Sequence, residues 1–156
     1  MFEILSAKVK DANKICSLLR RSISEVCASD YGYNEQVLEE WLANKTIKNV
    51  RYWINHTHRS SFICMNENNE IVGFCLLDIS GEILLNYVLP EYLYKGVGKL
   101  LLEAMEQDLL NHKIFNVRVI SSITAKSFYE RNGYIKNGKA SLVGEIEGDF
   151  PLIKKL

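Results

Sequence analysis

Apolar residues recur along this chain with two periods, and the switches between them mark out its elements. Phe2-Glu3-Ile4-Leu5 reads as a short strand. After Asp11, the residues Ile15, Leu18, Leu19, Ile23 and Val26 follow at spacings of three and four, the stripe of one helix face. Asp11 suits the positive end of that helix dipole. Asp30-Tyr31-Gly32-Tyr33-Asn34 interrupts the pattern as a loop; Val37, Leu38, Trp41 and Leu42 resume it, and a further short helix is expected around Val50, Tyr52 and Trp53. From Ser61 the runs shorten. Phe62–Met65, Ile71–Ile79 and Ile83–Leu89 are separated by Asn66-Glu67-Asn68-Asn69-Glu70 and by Ser80-Gly81, which predicts three antiparallel strands in a meander that Pro90 stops. The strongest helix follows, with Val97, Leu100, Leu101, Ala104, Met105 and Leu109 on one face and Glu103, Glu106 and Gln107 opposite. Val117–Ile120 is a β-branched strand, and Ala125–Arg131 a short helix ended by Asn132-Gly133. Weaker strand signals lie at Tyr134–Ile135, Ala140–Ile146 and Phe150–Ile153. The pattern predicts an α+β chain with a mixed sheet, and no linker divides its 156 residues, so one domain over 1–156 is expected.

Composition narrows the function classes. Lysine and arginine number 19, aspartate and glutamate 19. The balance holds in each half, so a nonspecific nucleic-acid binder is disfavoured. No apolar run approaches the length of a membrane span, and residues 1–11 lack a signal-peptide core, which makes the cytoplasm the expected compartment. Cys16, Cys27, Cys64 and Cys75 form no CxxC pair and His56, His58 and His112 do not complete a ligand set, so no metal is expected and the thiols read as buried and reduced.

Candidate chemistry concentrates at Tyr87-Val88-Leu89-Pro90-Glu91-Tyr92-Leu93-Tyr94-Lys95-Gly96-Val97-Gly98-Lys99, where a strand passes into the best helix through a glycine-bearing turn. Unpaired amides at a helix start, aided by the dipole, bind phosphate. Gly98-Lys99 is followed by Leu100 where a P-loop needs Ser or Thr, and Leu101 stands where a dinucleotide fingerprint needs glycine, so both of those phosphate motifs fail.

The segment Leu93-Tyr94-Lys95-Gly96-Val97-Gly98, approached by Val88-Leu89-Pro90-Glu91-Tyr92, resembles the Arg/Gln-x-x-Gly-x-Gly/Ala signature of the GCN5-related N-acetyltransferases. Ala125-Lys126-Ser127-Phe128-Tyr129-Glu130-Arg131-Asn132-Gly133-Tyr134 resembles that family's Ala-x-x-Phe-Tyr-x-x-x-Gly-Phe/Tyr segment, in the expected order. Leu93 replaces the usual Arg or Gln, and Ser122 stands where many members have Asn. The resemblance implies an α/β/α sandwich: a mixed, mostly antiparallel central sheet with helices on both faces. It implies acetyl-CoA as co-substrate and direct acetyl transfer to a primary amine of a small molecule or peptide. The implied cofactor-binding residues are Asn86, Tyr87, Val88, Tyr94, Lys95, Gly96, Val97, Gly98, Lys99, Ser122, Phe128 and Tyr129. Lys95, Lys99, Lys126 and Arg131 supply positive charge for the CoA phosphates. Tyr129 matches the tyrosine that protonates the departing thiolate, a backbone N–H near Val88 the oxyanion donor, and Glu82 a general base acting through water.

Residues 22–44 carry Glu25, Asp30, Glu35, Glu39 and Glu40 with no Lys or Arg. In the family this region borders the acceptor, so an acidic wall there would favour a cationic amine. A silent acyl-CoA-binding sensor or an interaction protein with the same fold is the alternative. A homodimer through the C-terminal strand edge ending at Ile153 is a further expectation of the resemblance.

Overall fold

The computed structural model describes residues 1–143 and 146–156 of the chain. Strands β1 (Glu3–Ser6), β2 (Arg59–Met65), β3 (Ile71–Asp78), β4 (Glu82–Val88), β5 (Asn116–Ser121), β6 (Ile135–Lys136), β7 (Ser141–Val143) and β8 (Ile146–Lys155) form a sheet in the order β1-β2-β3-β4-β5-β8-β6, with β7 hydrogen-bonded to β8 beside it. Among the described residues every pairing is antiparallel except β4 with β5. Helices α1 (Ala12–Ser22), α2 (Glu35–Leu42) and α3 (Ile47–Asn55) precede the meander; α4 (Val97–Asn111) follows it, and α5 (Ile123–Arg131) links β5 to β6. Alpha helices on both faces and a mostly antiparallel sheet match the expected architecture.

Strand β3 carries the centre of the molecule. It is buried along nearly its whole length, which explains why it reads as a continuous apolar run and not as an alternation. Phe74 and Leu76 meet Ile15, Leu18 and Leu19 of α1, while Cys75 and Leu77 meet Leu101, Leu102 and Met105 of α4. Between them Gly73 lets α4 lie directly on the sheet: a Cβ there would come within 2.7 Å of Val97 Cγ1 and 2.9 Å of Leu101 Cδ1. That contact fixes the start of α4, and with it the glycine-bearing turn, against the strand that leads into the site.

The first helix departs from the expected single stripe. α1 ends at Ser22, passes through a π-helical turn over Ile23–Cys27 and a 3-10 turn over Ala28–Tyr31, and reverses at Gly32 in the left-handed region. Asp30 and Tyr31, expected in an open loop, are buried. The Asp30 carboxylate accepts hydrogen bonds from the Thr124 amide (3.1 Å) and the Thr124 hydroxyl, tying this turn to the start of α5. The C-terminal strand also differs from expectation. Ile153 of β8 pairs with Arg118 on one side and Ile135 on the other, so this strand presents no free edge there for a dimer. No helix among the described residues is long and apolar enough to cross a membrane.

Candidate active site

Among the described residues one pairing in the sheet is parallel, and it opens the site. β4 and β5 are in register at Glu82 with Arg118 and Ile83 with Val119, and then part. Beyond that point β4 keeps its partner β3 as far as Val88, but its other edge is bare. A register shift at Leu76/Leu77, opposite Leu85 and Ile83, bends β4 just where it leaves β5. The resulting cleft is a cavity of about 1050 Å³, walled by Ile83–Val88 on one side and Val119–Ser122 on the other. Unpaired strand amides facing a cavity are ready donors for a ligand carbonyl.

At one end of the cleft the chain leaves β4, makes a 3-10 turn at Pro90–Tyr92 and enters α4. Two side chains hold this loop. Tyr92 accepts a hydrogen bond from Asn66 Nδ2 (2.9 Å), whose Oδ1 also caps the β2–β3 turn, and Arg21 bridges Glu25 and Glu91. Gly96 caps α4 at φ +87°, a conformation costly for other residues, and a Cβ added there would meet nothing within 4 Å. The space above the helix start is therefore open. Among the described residues the amides of Tyr94, Lys95 and Gly96 have no backbone acceptor in the turn, and the first amides of α4 are unpaired by helix geometry. A cradle of this kind fits a pyrophosphate. Lys99 lines it, with only a loose 4.0 Å contact to Glu103. Arg131 lines the cavity from α5.

The structure brings Asn86, Tyr87, Val88, Tyr94, Gly96, Gly98, Lys99, Ser122, Phe128 and Tyr129 to the lining of one cavity. Four of the cofactor and catalytic residues named from the sequence lie off it, among them Lys126, which lies over the Phe150 ring at 4.8 Å from its centroid. Val97 is buried against Gly73, and Lys95 lies over the Tyr92 ring at 5.1 Å from its centroid. Glu82 sits at the paired beginning of β4, between Asp78 and Arg118, and is not a lining residue. Ile83, its neighbour, turns into the core, and strand alternation sends Glu82 the other way. Ser122 caps α5 by accepting the Ala125 amide (3.3 Å), which leaves its hydroxyl proton available to a ligand.

Tyr129 is 4% exposed, packed edge-on to Phe128 and Tyr134. Burial drives its phenol well above the ordinary value, with Asn86 within hydrogen-bonding reach acting in the opposite sense. The hydroxyl is thus protonated at neutral pH. Among the described residues Asn86 Oδ1 is buried without a partner, an acceptor for a ligand donor.

Most of the other half of the cavity was not legible in the sequence, Tyr87 and Glu40 excepted. Tyr31, Trp41 and Tyr87 line it, with Tyr31 edge-on to Trp41 and Trp41 within reach of the Tyr87 hydroxyl. Of the five acids expected as a wall, only Glu40 lines the cavity; Glu25 is held by Arg21 and Asp30 by Thr124. A different carboxylate, Asp149 of β8, lines it, and burial raises its carboxyl above the usual range. Lys45 lines it as well. Tertiary contacts alone bring these residues here. Among the described residues no group of three or more His, Cys, Asp or Glu side chains is arranged to hold a metal.

Comparison with known proteins decides the family: residues 27–147 match the model of the acetyltransferase (GNAT) domain. The chain belongs to the GNAT acetyltransferase family. Its activity class is acetyl-CoA-dependent N-acetyl transfer. A curated relative, the spermidine N(1)-acetyltransferase of Thermoplasma acidophilum, is 27% identical over 144 residues, covering 85% of this chain and 87% of that protein. Among solved structures, a GCN5-related N-acetyltransferase from Rhodopseudomonas palustris superposes with a TM-score of 0.85 at 22% identity, covering 99% of this chain and 95% of that one. The PaiA N-acetyltransferase of Thermoplasma acidophilum, solved in complex with coenzyme A, superposes with a TM-score of 0.84 at 23% identity, covering 100% and 99%. These likenesses show that this GNAT chain shares the fold from end to end.

Proposed function

We propose that residues 1–156 act as one N-acetyltransferase domain that moves the acetyl group of acetyl-CoA directly onto a primary amine of a small molecule or peptide. The observation that carries this reading is the cleft between β4 and β5, with bare strand amides on one wall and an open helix start at its end. Acetyl-CoA supplies an activated thioester. The cradle from Tyr94 to Lys99 suits its pyrophosphate, and the β4 edge near Val88 suits the pantetheine arm and the thioester carbonyl.

Tyr129 donates a hydrogen bond to the leaving thiolate as its charge develops. Its desolvated phenol stays protonated well above neutrality, while a thiol is acidic enough at pKa about 8–9 to leave once a donor is near. Asp149 receives the proton of the acceptor ammonium, directly or through water. Its raised affinity for a proton and its place in the cavity favour it over Glu82, which is off the wall. Glu40 and Asp149 give the acceptor end a negative lining, which supports an amine that arrives as its cation. The four free, buried cysteines suit a reducing compartment, and we place the enzyme in the cytoplasm.

The test is amine-dependent release of CoA thiol across a panel of diamines, polyamines, aminoglycosides, amino acids and lysine peptides, with the N-acetyl product identified by mass spectrometry. Equal amounts of thiol and N-acetylated amine support the reading. Binding of acetyl-CoA without transfer to any amine would favour the silent sensor.

A further inference from the structure

We propose that Lys45 binds a carboxylate of the acceptor, so that the amine acetylated here also carries an acid group, as an amino acid or peptide terminus does. The inference rests on the transfer reading above and names its substrate class.

Lys45 lies in the link between α2 and α3 and is 6% exposed, yet it lines the cavity. Its backbone is fixed: the carbonyl accepts from Cys16 Sγ (3.2 Å) and Arg20 Nη1 (3.1 Å), and the amide donates to Leu42 (2.9 Å). Its ammonium donates to one neutral group, Asn44 Oδ1, at 2.8 Å. Among the described residues no carboxylate lies within 4.0 Å of it. A buried ammonium with three donors and a single neutral acceptor is expensive, and the cost is recovered when an anion arrives. The two carboxylates that line the cavity among the described residues do not fill that role, since Glu40 takes a hydrogen bond from Gln36 at the exposed edge of α2 and Asp149 is on β8.

The other two cations of the cavity, Lys99 and Arg131, stand on α4 and α5, the side that suits the phosphates. Lys45 instead comes from the α2–α3 link, the part of the chain that also supplies Trp41 to the cavity lining. The acceptor half thus offers anionic groups for an ammonium and one buried cation for an acid. A polyamine answers only the first. One buried ammonium balances a singly charged carboxylate more closely than a doubly charged phosphate. Burial lowers the lysine to about 8, so it remains mostly charged at neutral pH.

The experiment compares kcat/KM, at saturating acetyl-CoA, for lysine against cadaverine and ornithine against putrescine, pairs that differ only in the carboxylate. O-phosphoethanolamine against ethanolamine is the phosphate arm. Wild type is expected to prefer the carboxylate member about tenfold or more. Lys45→Met should bring each pair within about twofold, and Lys45→Arg should keep part of the preference. A wild-type preference for the diamines, or for phosphoethanolamine over both amino acids, overturns the proposal, as does a carboxylate preference that survives Lys45→Met. If no amine turns over, thermal stabilisation by the same pairs decides. Stabilisation that needs both the carboxylate and Lys45 supports the proposal, and its absence overturns it. Failure of acetyl-CoA to stabilise the protein sinks the transfer reading instead, and retained stabilisation in Lys45→Met shows that the variant is folded.

Discussion

Gly73→Ala tests how the site is held. The added Cβ would stand 2.7 Å from Val97 Cγ1 and 2.9 Å from Leu101 Cδ1, well inside ordinary van der Waals contact. Both partners are buried, so neither can swing into solvent. Overpacking of this kind costs about 1–3 kcal/mol. At roughly 2–4 °C per kcal/mol for a chain of this size, a cost of about 2 kcal/mol lowers Tm by about 4–8 °C. Val97→Ala alone removes two buried methyl-sized groups and costs about 2 kcal/mol. In the double variant the alanine at 73 occupies the space that Val97 gave up. The two losses should then fall short of their sum by about 1 kcal/mol or more, measured by urea unfolding of all four proteins. Strict additivity would refute the close approach of β3 and α4 as the device that fixes the turn.

Three other outcomes follow from the same geometry. Tyr129→Phe should lower kcat by roughly a hundredfold while leaving the acetyl-CoA dissociation constant nearly unchanged; an unchanged kcat removes the tyrosine from the chemistry. Asp149 has a carboxyl raised by burial, so between its unfolded and folded values the native state holds the extra proton and stability falls as pH rises. Asp149→Asn should therefore be no less stable than wild type at pH 7, while losing the acid limb of the kcat/KM profile; a profile that keeps its acid limb assigns the base elsewhere. Lys45 carries the opposite case. Its folded value is lowered to about 8 from 10.5, so the unfolded chain binds the extra proton between those values and wild-type stability should rise with pH across that window relative to Lys45→Met. A flat difference in thermal melts from pH 7 to 10.5 would contradict the burial of its charge.

The meander, the long helix and the glycine-bearing turn were readable from the sequence because each is a local pattern. Phe62–Met65, Ile71–Ile79 and Ile83–Leu89 match β2, β3 and β4 closely, and Val97 to Leu109 marks the face of α4. The splay of β4 from β5 was not readable from spacing, because it depends on where a pairing between Ile83 and Val119 stops. The acceptor half was the least legible part. Tyr31 resembles a loop residue until Asp30 is seen bonded to Thr124, 94 positions away. Asp149 and Lys45 reach the cavity from β8 and the α2–α3 link, so no window of sequence contains both. The acid count over residues 22–44 misled for the same reason: charge in a window does not say which side chains are already paired.

The most direct measurement is the thermal stability of the protein with acetyl-CoA, with ATP and desulfo-CoA as controls and Gly96→Ala as the comparison. A cradle filled to about 100 times its Kd adds roughly 2.7 kcal/mol, about 5–11 °C at this chain length. Wild type should shift by that order with acetyl-CoA and not with ATP. Gly96→Ala, which puts a methyl into the open space above α4 and strains a backbone held at φ +87°, should have a lower Tm without ligand and lose most of the shift. No shift in wild type at millimolar acetyl-CoA would contradict the cleft between β4 and β5 as an acetyl-CoA site.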